Sequence, residues 1–481
     1  MSSTTIRVTR RQFGGLAAGA VAFSGVRRAP AFAQAAAKIV VIGGGPGGAT
    51  VANRLNAAGA GLDVTLVEPK ETYTTCFYSN LYLGGFRSFQ SLTHNYEGIK
   101  KRGIKVVQDM AASIDTTAKT VKLAKAGMTI PYDRLVVAPG IDLKYETIEG
   151  YSLEAADVMP HAWQGGGQTW LLKEKLLAMS DGGLVVMAAP PVPYRCPPGP
   201  YERACMIAHF LKTRKPKSKL IIFDPKMTFS KQPVFEEAFK EFYADIIELN
   251  LTNEIDDFAV MRVDAKTGEV TTKAGRSERA AVANIIPAQK AGAIAASAGL
   301  TEGDWCPVNP ENFTSTKAKD VYVVGDAAVA ADMPKSAYSA FSQANFVASD
   351  LLADIGVKPR ETGKYRNTCW SMLAPDNSAK IGGDYVPAAK NGKKFLEAKE
   401  PFVSQAGESA DVRRETFVES VHWYETLTVD MFDTKAQTAV APQQDDAAKQ
   451  TAVAPSAQDK GPDAAKTAPA KEPTAKDIPK N

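Results

Sequence analysis

Cysteine is scarce in this sequence: five residues among 481, Cys76, Cys196, Cys205, Cys306 and Cys369, scattered along the chain. That is too few for a disulfide-stapled scaffold, and an odd number leaves at least one without an intramolecular partner. No Cys-x-x-Cys-His run occurs, so this chain attaches no c-type haem. Histidine is rarer still, four residues, none at metal-ligand spacing, and no metal site is expected. Neither sign of charge dominates: 57 basic residues stand against 53 acidic ones, a net +4 that carries no nucleic-acid footprint. No apolar run reaches the ~20 residues of a membrane span, which argues against an integral membrane protein. Aromatic residues vanish after Phe432. From 434 to 481 Ala, Lys, Asp and Pro dominate and Thr-Ala-Val-Ala-Pro occurs twice, so this tail is expected to be disordered.

At the other end, Arg10-Arg11 and Phe13 precede a mildly apolar stretch from Gly14 to Val26, and Ala31-Phe32-Ala33 forms a small-x-small cleavage signal. Residues 1–33 read as a twin-arginine export signal, which implies a periplasmic protein that leaves the cytoplasm folded. The alternative, a membrane anchor, is short and rich in Ala and Gly. A chain of this length exceeds the roughly 250–300 residues at which single cores stop growing, so two or three domains are expected.

The strongest local pattern opens at Lys38. A β-branched strand to Ile42 runs into Gly43-Gly44-Gly45-Pro46-Gly47-Gly48, a helix follows from Ala49 to Ala58, and a second strand, Val64 to Val67, ends on Glu68. Gly43, Gly45 and Gly48 stand in G-x-G-x-x-G register with an acidic residue downstream, the pattern that brings a pyrophosphate to a helix N-terminus and a ribose to a carboxylate. The fingerprint does not tell FAD from NAD, but two later segments resemble the pattern of two-dinucleotide-fold flavoproteins, in which the second puts an Asp on the FAD ribityl chain: the strand Arg134 to Val137 closing on Ala138-Pro139-Gly140, and the strand Val321 to Val324 closing on Gly325-Asp326-Ala327. Pro139, Gly140, Gly325 and Asp326 therefore join the cofactor-binding set. Between them a second α/β unit has strands Gly183 to Ala189 and Lys219 to Phe223, the latter followed by Asp224. Its first turn, from Pro190 to Pro200, is rich in proline, which lacks the N–H donors a pyrophosphate needs. This unit keeps a nucleotide fold and loses nicotinamide binding.

Four runs carry a family resemblance: Tyr73-Thr74-Thr75-Cys76, Met159-Pro160-His161-Ala162-Trp163, Tyr194 to Ala204, and Pro334-Lys335-Ser336-Ala337-Tyr338-Ser339-Ala340. In order, over about Lys38 to Phe432, the sequence resembles the flavoprotein subunit of flavocytochrome c sulfide dehydrogenase. The resemblance implies two dinucleotide-binding, Rossmann-like α/β domains plus a C-terminal α+β domain, a glutathione-reductase-like arrangement. The expected parts are the FAD-binding domain at 38–150 and 286–356, the second nucleotide fold at 151–285 and a C-terminal interface domain at 357–433 with a helix near Val418 to Phe432. It implies a thioether from Cys76 to the flavin, against the alternative of a buried free cysteine. It implies a redox-active disulfide between Cys196 and Cys369, against a structural staple or two free thiols. Glu202 is the nearby acid or base, with an exposed helix carboxylate as the alternative. Lys335 belongs to the cofactor set, at the start of a helix from Pro334 whose N-terminus can stabilise negative charge on the flavin or simply pack. Cys205, on a helix face, and Cys306, in a loop before Pro307, read as structural, as does His161.

The activity so implied is oxidation of sulfide to sulfur or polysulfide, with electrons passing through FAD to a separate c-type cytochrome subunit. A sulfide:quinone oxidoreductase shares the fold and similar cysteine chemistry, but binds the membrane through apolar C-terminal helices, whereas this C-terminal region is mixed in polarity. A non-catalytic flavin-binding scaffold protein is the alternative of another class, and the cysteine pair argues against it.

Overall fold

The computed structural model describes residues 37–252 and 257–433; the export-signal stretch and the tail after 433 lie outside them. The chain opens with β1 (Lys38–Ile42), α1 (Pro46–Ala57), β2 (Asp63–Val67), β3 (Lys105–Val107) and β4 (Arg134–Val137). β1 lies between β2 and β4, parallel to both, with Val40 opposite Thr65 and Leu135. Ile39, Val40, Val41 and Ile42 are all buried, as a strand covered on both faces requires. α1 starts three residues before the expected Ala49, because Pro46 occupies its first turn, where a missing N–H costs nothing.

A second parallel sheet follows: β5 (Leu184–Ala188), α2 (Gly199–Arg214), β6 (Lys219–Asp224), α3 (Gln232–Tyr243), β7 (Ile247–Leu251) and β8 (Val282–Ile285), in the order β7-β6-β5-β8. The chain then returns. β9 (Val321–Val323) pairs with β4 and completes the first sheet as β9-β4-β1-β2-β3. Cys306 is not in a loop: it forms a short parallel bridge with Ala328 and is fully buried, so its environment is a core rather than a turn. α4 (Ala337–Asp354) leaves from the end of this sheet and packs on α1.

The last region holds more structure than the sequence suggests. β10 (Tyr365–Ala374), β11 (Asn377–Lys390) and β12 (Lys393–Val403) form an antiparallel sheet, and α5 (Ala410–Phe432) begins eight residues before the expected Val418, capped by the Ser409 hydroxyl. α5 ends against the first sheet's helix: Asn53 donates to the Met431 carbonyl at 2.8 Å and Arg102 to the Asp430 carbonyl at 2.8 Å, satisfying acceptors that a helix C-terminus leaves open.

Candidate active site

Two glycines build the cofactor cradle by having no side chain. A Cβ on Gly43, whose φ is +99°, would stand 2.2 Å from the Ala138 carbonyl oxygen, and one on Gly48 would stand 1.9 Å from the Gly43 oxygen. Gly45, the N-cap of α1, brings no capping side chain, and no acidic residue lies in the first turn, so the amides there are open to an anion. Glu68 follows β2, accepting from the Gly44 amide at 2.7 Å and the Lys70 amide at 3.0 Å. Each carboxylate oxygen keeps a lone pair for a ribose hydroxyl. Burial pushes the Glu68 carboxyl up, opposed by those two amides and by the Lys70 charge. Pro139 and Gly140 close the β4 turn, with the Gly140 carbonyl accepting from the Gly292 amide. Asp326 follows β9 in a short 3₁₀ turn, and its Oδ1 is buried with no hydrogen-bond partner. An orphaned buried acceptor beside a glycine cradle fits the hydroxyl-rich linker of FAD.

Lys335 serves this turn from below. Its ammonium donates to the Asp326 and Ala328 carbonyls, both at 2.8 Å, and lies 3.8 Å from the centre of the Trp305 ring. Burial pulls it down to about 8. The helix expected from Pro334 starts instead at Ala337, and its first turn is closed by the Ser336 hydroxyl accepting from the Ser339 amide.

Arg195 links the cofactor side to the sulfur side. It pairs with Asp326 at 3.6 Å, donates to the Trp163 carbonyl, and its charge is felt by Cys76, Tyr73 and Cys196. Cys76 sits after Thr75, whose hydroxyl meets the Tyr424 hydroxyl of α5 at 3.0 Å. Burial pushes the Cys76 thiol up while Arg195 draws it down. Gly165 makes room for this loop, since a Cβ there would stand 2.3 Å from the Thr74 oxygen.

Cys196 and Cys369 come from distant parts of the chain, Cys196 from the proline-rich turn before α2 and Cys369 from β10. All five cysteines stand as free thiols, so the implied Cys196–Cys369 disulfide is not formed in this structure. The two thiols are electrostatically coupled: the Cys196 thiol is pushed far up by burial, then by Cys369 and Glu202. Cys196 holds a φ of +58°, a costly left-handed conformation fixed by its amide bonding the Lys335 carbonyl at 2.8 Å. Tyr78, Ala162 and Lys231 around the site also have positive φ, an unusual concentration for residues with a Cβ. The Asn367 amide touches the Cys369 sulfur at 3.4 Å.

Glu202 is half-buried in the first turn of α2, not an exposed helix carboxylate. It accepts from the Met372 amide at 2.9 Å and from Asn80 at 2.7 Å, while burial raises its affinity for a proton. Two buried cations beside it escaped the sequence reading. Lys231 precedes α3. Arg203, within one of the family-like runs, donates to Asn80, Asn284 and the His161 and Ala162 carbonyls and lies over the Trp163 ring. Only the run around Arg203 carried any signal, and it gave no role. His161 is held inside the protein: its Nδ1 accepts from the Trp163 amide at 3.0 Å, and burial pulls it down to about 3.

The second fold's ribose position is filled by the protein itself. Asp224, fully buried at the end of β6, accepts from the Tyr201 hydroxyl at 2.6 Å and from the Lys226 amide at 3.0 Å, and pairs with the Lys226 ammonium at 2.6 Å. That ammonium also donates to the Pro190 carbonyl in the proline-rich turn.

Two parallel sheets, a glycine cradle in one and a cysteine turn in the other define a flavoprotein of the pyridine nucleotide–disulphide oxidoreductase class, whose family model matches residues 37–165. The model for the central part of the sulfide dehydrogenase (flavocytochrome c) flavoprotein chain matches 169–287, and that for flavocytochrome c sulphide dehydrogenase, flavin-binding, matches 361–432. A sulfide dehydrogenase (flavocytochrome c) flavoprotein chain from Chlorobaculum thiosulfatiphilum is 49% identical over 43 residues, 9% of this chain and 90% of that sequence. This chain belongs to the family of flavocytochrome c sulfide dehydrogenase flavoprotein chains. Mouse mitochondrial sulfide:quinone oxidoreductase is 23% identical over 322 residues, a stretch spanning 60% of this chain and 65% of that relative. The solved sulfide:quinone oxidoreductase of Aquifex aeolicus shares the fold, with a TM-score of 0.60 at 20% identity over 82% of this chain and 95% of that one.

Proposed function

We propose that this chain oxidises sulfide with FAD, through a disulfide between Cys196 and Cys369, and delivers the electrons to a c-type cytochrome subunit in the periplasm. The observation that supports the reading is that the Cys196 thiol feels the charges of Cys369 and Glu202, with Arg195 paired to Asp326 and its charge felt by Cys76 and Cys196. Gly43, Gly45, Gly48, Glu68, Pro139, Gly140, Gly325, Asp326 and Lys335 would hold the cofactor, and Cys76 would tether it. Bound FAD supplies a two-electron acceptor that can release electrons singly.

Hydrosulfide attacks the Cys196 sulfur, a sulfur–sulfur bond forms there, and the Cys196–Cys369 bond breaks with its electron pair on Cys369. The products are a Cys196 persulfide and a Cys369 thiolate, so sulfide is oxidised and the disulfide reduced by two electrons. A second hydrosulfide attacks the outer sulfur of the protonated persulfide and removes it as polysulfide, the sulfur–sulfur bond breaking with its electron pair on Cys196, and Glu202, its proton affinity raised by burial, supplies the proton to that departing sulfur. Cys196, partly buried in the turn before α2, is less covered than the buried Cys369, which Asn367 contacts.

Quinone is the second acceptor to test, given the likeness to the mouse enzyme. Among the described residues no helix is long and apolar enough to cross a membrane. Anaerobic sulfide should bleach the flavin spectrum, and either Cys196→Ser or Cys369→Ser should abolish bleaching while leaving the flavin reducible by dithionite. The double variant should be no worse, since the two act in one step. Cytochrome c from the partner subunit should then be reduced, and NAD⁺ should not. Bleaching at the native rate in Cys196→Ser would sink the mechanism; turnover that demands quinone would move the acceptor.

A further inference from the structure

Lys231 is a buried cation with an unusual set of neighbours. It sits just before α3 with a φ of +61° and is only 5% exposed. Its ammonium donates to the Cys369 carbonyl at 3.2 Å, the Ser371 hydroxyl at 2.8 Å and the Ala379 carbonyl at 3.3 Å. All three partners lie on β10 and β11, so a lysine from the second nucleotide fold is fastened to the strand that carries Cys369. Neutral side chains would satisfy the same acceptors without taking a charge out of water, which costs several kcal/mol unless a counter-charge is near. No carboxylate bonds directly to this ammonium among the interactions described above. The groups whose charge it feels are Cys369 on β10, Glu202 on α2, Cys196 in the turn before α2 and, with like sign, Arg413 on α5.

We propose that Lys231 is a positioning residue that makes Cys369 the leaving thiolate, its ammonium fixed on the Cys369 backbone and providing the positive field in which the electron pair released from the disulfide comes to rest. This rests on the sulfide-oxidising reading above. The asymmetry between the two cysteines supports it: burial pushes both thiols up, but at Cys369 it is opposed by the Asn367 side chain, Lys231 and Ser336, whereas at Cys196 it is reinforced by Cys369, Glu202 and Cys76 and opposed by Lys231 alone. Burial pulls Lys231 itself down to about 8, and a negative Cys369 pushes it back up, so each charge steadies the other. Ring-opening attack at Cys196 then leaves the charge on the sulfur best placed to carry it.

The test separates charge from scaffolding. In reduced, flavin-containing protein, labelling of Cys369 by methyl methanethiosulfonate, a reagent little larger than the substrate, is followed against pH by peptide mass analysis. Lys231→Gln keeps hydrogen-bonding capacity and removes the charge; Lys231→Arg keeps the charge. The Gln variant should raise the Cys369 titration midpoint by at least about one pH unit, roughly tenfold less thiolate below it, with a smaller change at Cys196. The Arg variant should recover most of the shift. An unmoved midpoint in the Gln variant, equal shifts in both variants, or a Gln variant that cannot be recovered folded would assign Lys231 to the scaffold and overturn the proposal. The labelling needs no sulfide, so a wild-type flavin that sulfide fails to bleach would sink the sulfide reading separately.

Discussion

Cys76 and Asp326 meet across Arg195, and this is where a covalent tether has its simplest test. Acid precipitation of native protein should leave the yellow colour in the pellet, and Cys76→Ser should release it to the supernatant as free FAD; fully extractable flavin from native protein would remove the tether. Arg195 guides the expectation, because it draws the Cys76 thiol toward the thiolate that burial resists. Cys205 and Cys306 offer the contrast. Both are fully buried and burial pushes both thiols up, with Glu202 and Lys231 felt at Cys205 and Lys335 at Cys306. Glu202 and Cys196 were nameable from the run Tyr194 to Ala204, and Cys369 from what the family resemblance implies. Lys231 was not, because a lysine before a helix has the look of an ordinary solvated residue, and only the fold brings β10 over it. Arg203 lay inside a quoted run yet stayed mute, since its role depends on carbonyls more than forty residues upstream at His161 and Ala162.

The elements that sequence patterning found are those with a single period. β1, β4 and the glycine turns were readable because a doubly covered parallel strand is a short apolar run ended by glycine or proline. The three-stranded sheet after Tyr365 escaped for the opposite reason. β11 carries Gly382, Gly383 and Pro387, which ordinarily end a strand. Here Gly382 is needed, since a Cβ would stand 2.2 Å from the Asn367 carbonyl oxygen across the pair with β10. α5 was found only in its later turns because the first ones place Ala410, Val412 and Phe417 among charged residues. Its value lies in Tyr424, whose hydroxyl meets Thr75 at 3.0 Å, the Ser91 carbonyl at 3.1 Å and His94 at 3.3 Å, bracing the loop that bears Cys76. Tyr424→Phe should cost about 1–3 kcal/mol, the usual penalty for stranding buried polar groups, and lower the fraction of flavin that resists extraction. Chemical denaturation and acid precipitation measure the two effects; unchanged values for both would show that the contacts are idle.

Taken together, the two nucleotide folds have diverged in what their strand ends do. Glu68 keeps lone pairs for a ribose, while Asp224 spends its own on Tyr201 and Lys226. The proline-rich turn announced that loss in the sequence; the sealing of Asp224 did not, because tyrosine and lysine side chains reach it only through the folded chain. The way the first sheet is completed also dictates a timetable. Its fifth strand is residues 321–323, and the helix end clamped by Asn53 and Arg102 is residues 430–432. On a ribosome, the segment made earliest must wait for the segment made near the end before its cofactor cradle closes. Flavin capture is then a late event that waits for residues 321–323 and 430–431 to be made. A chain stopped at residue 409 should emerge without bound flavin when expressed beside the full-length protein. Retention of flavin by that shortened chain would show that the cradle closes early.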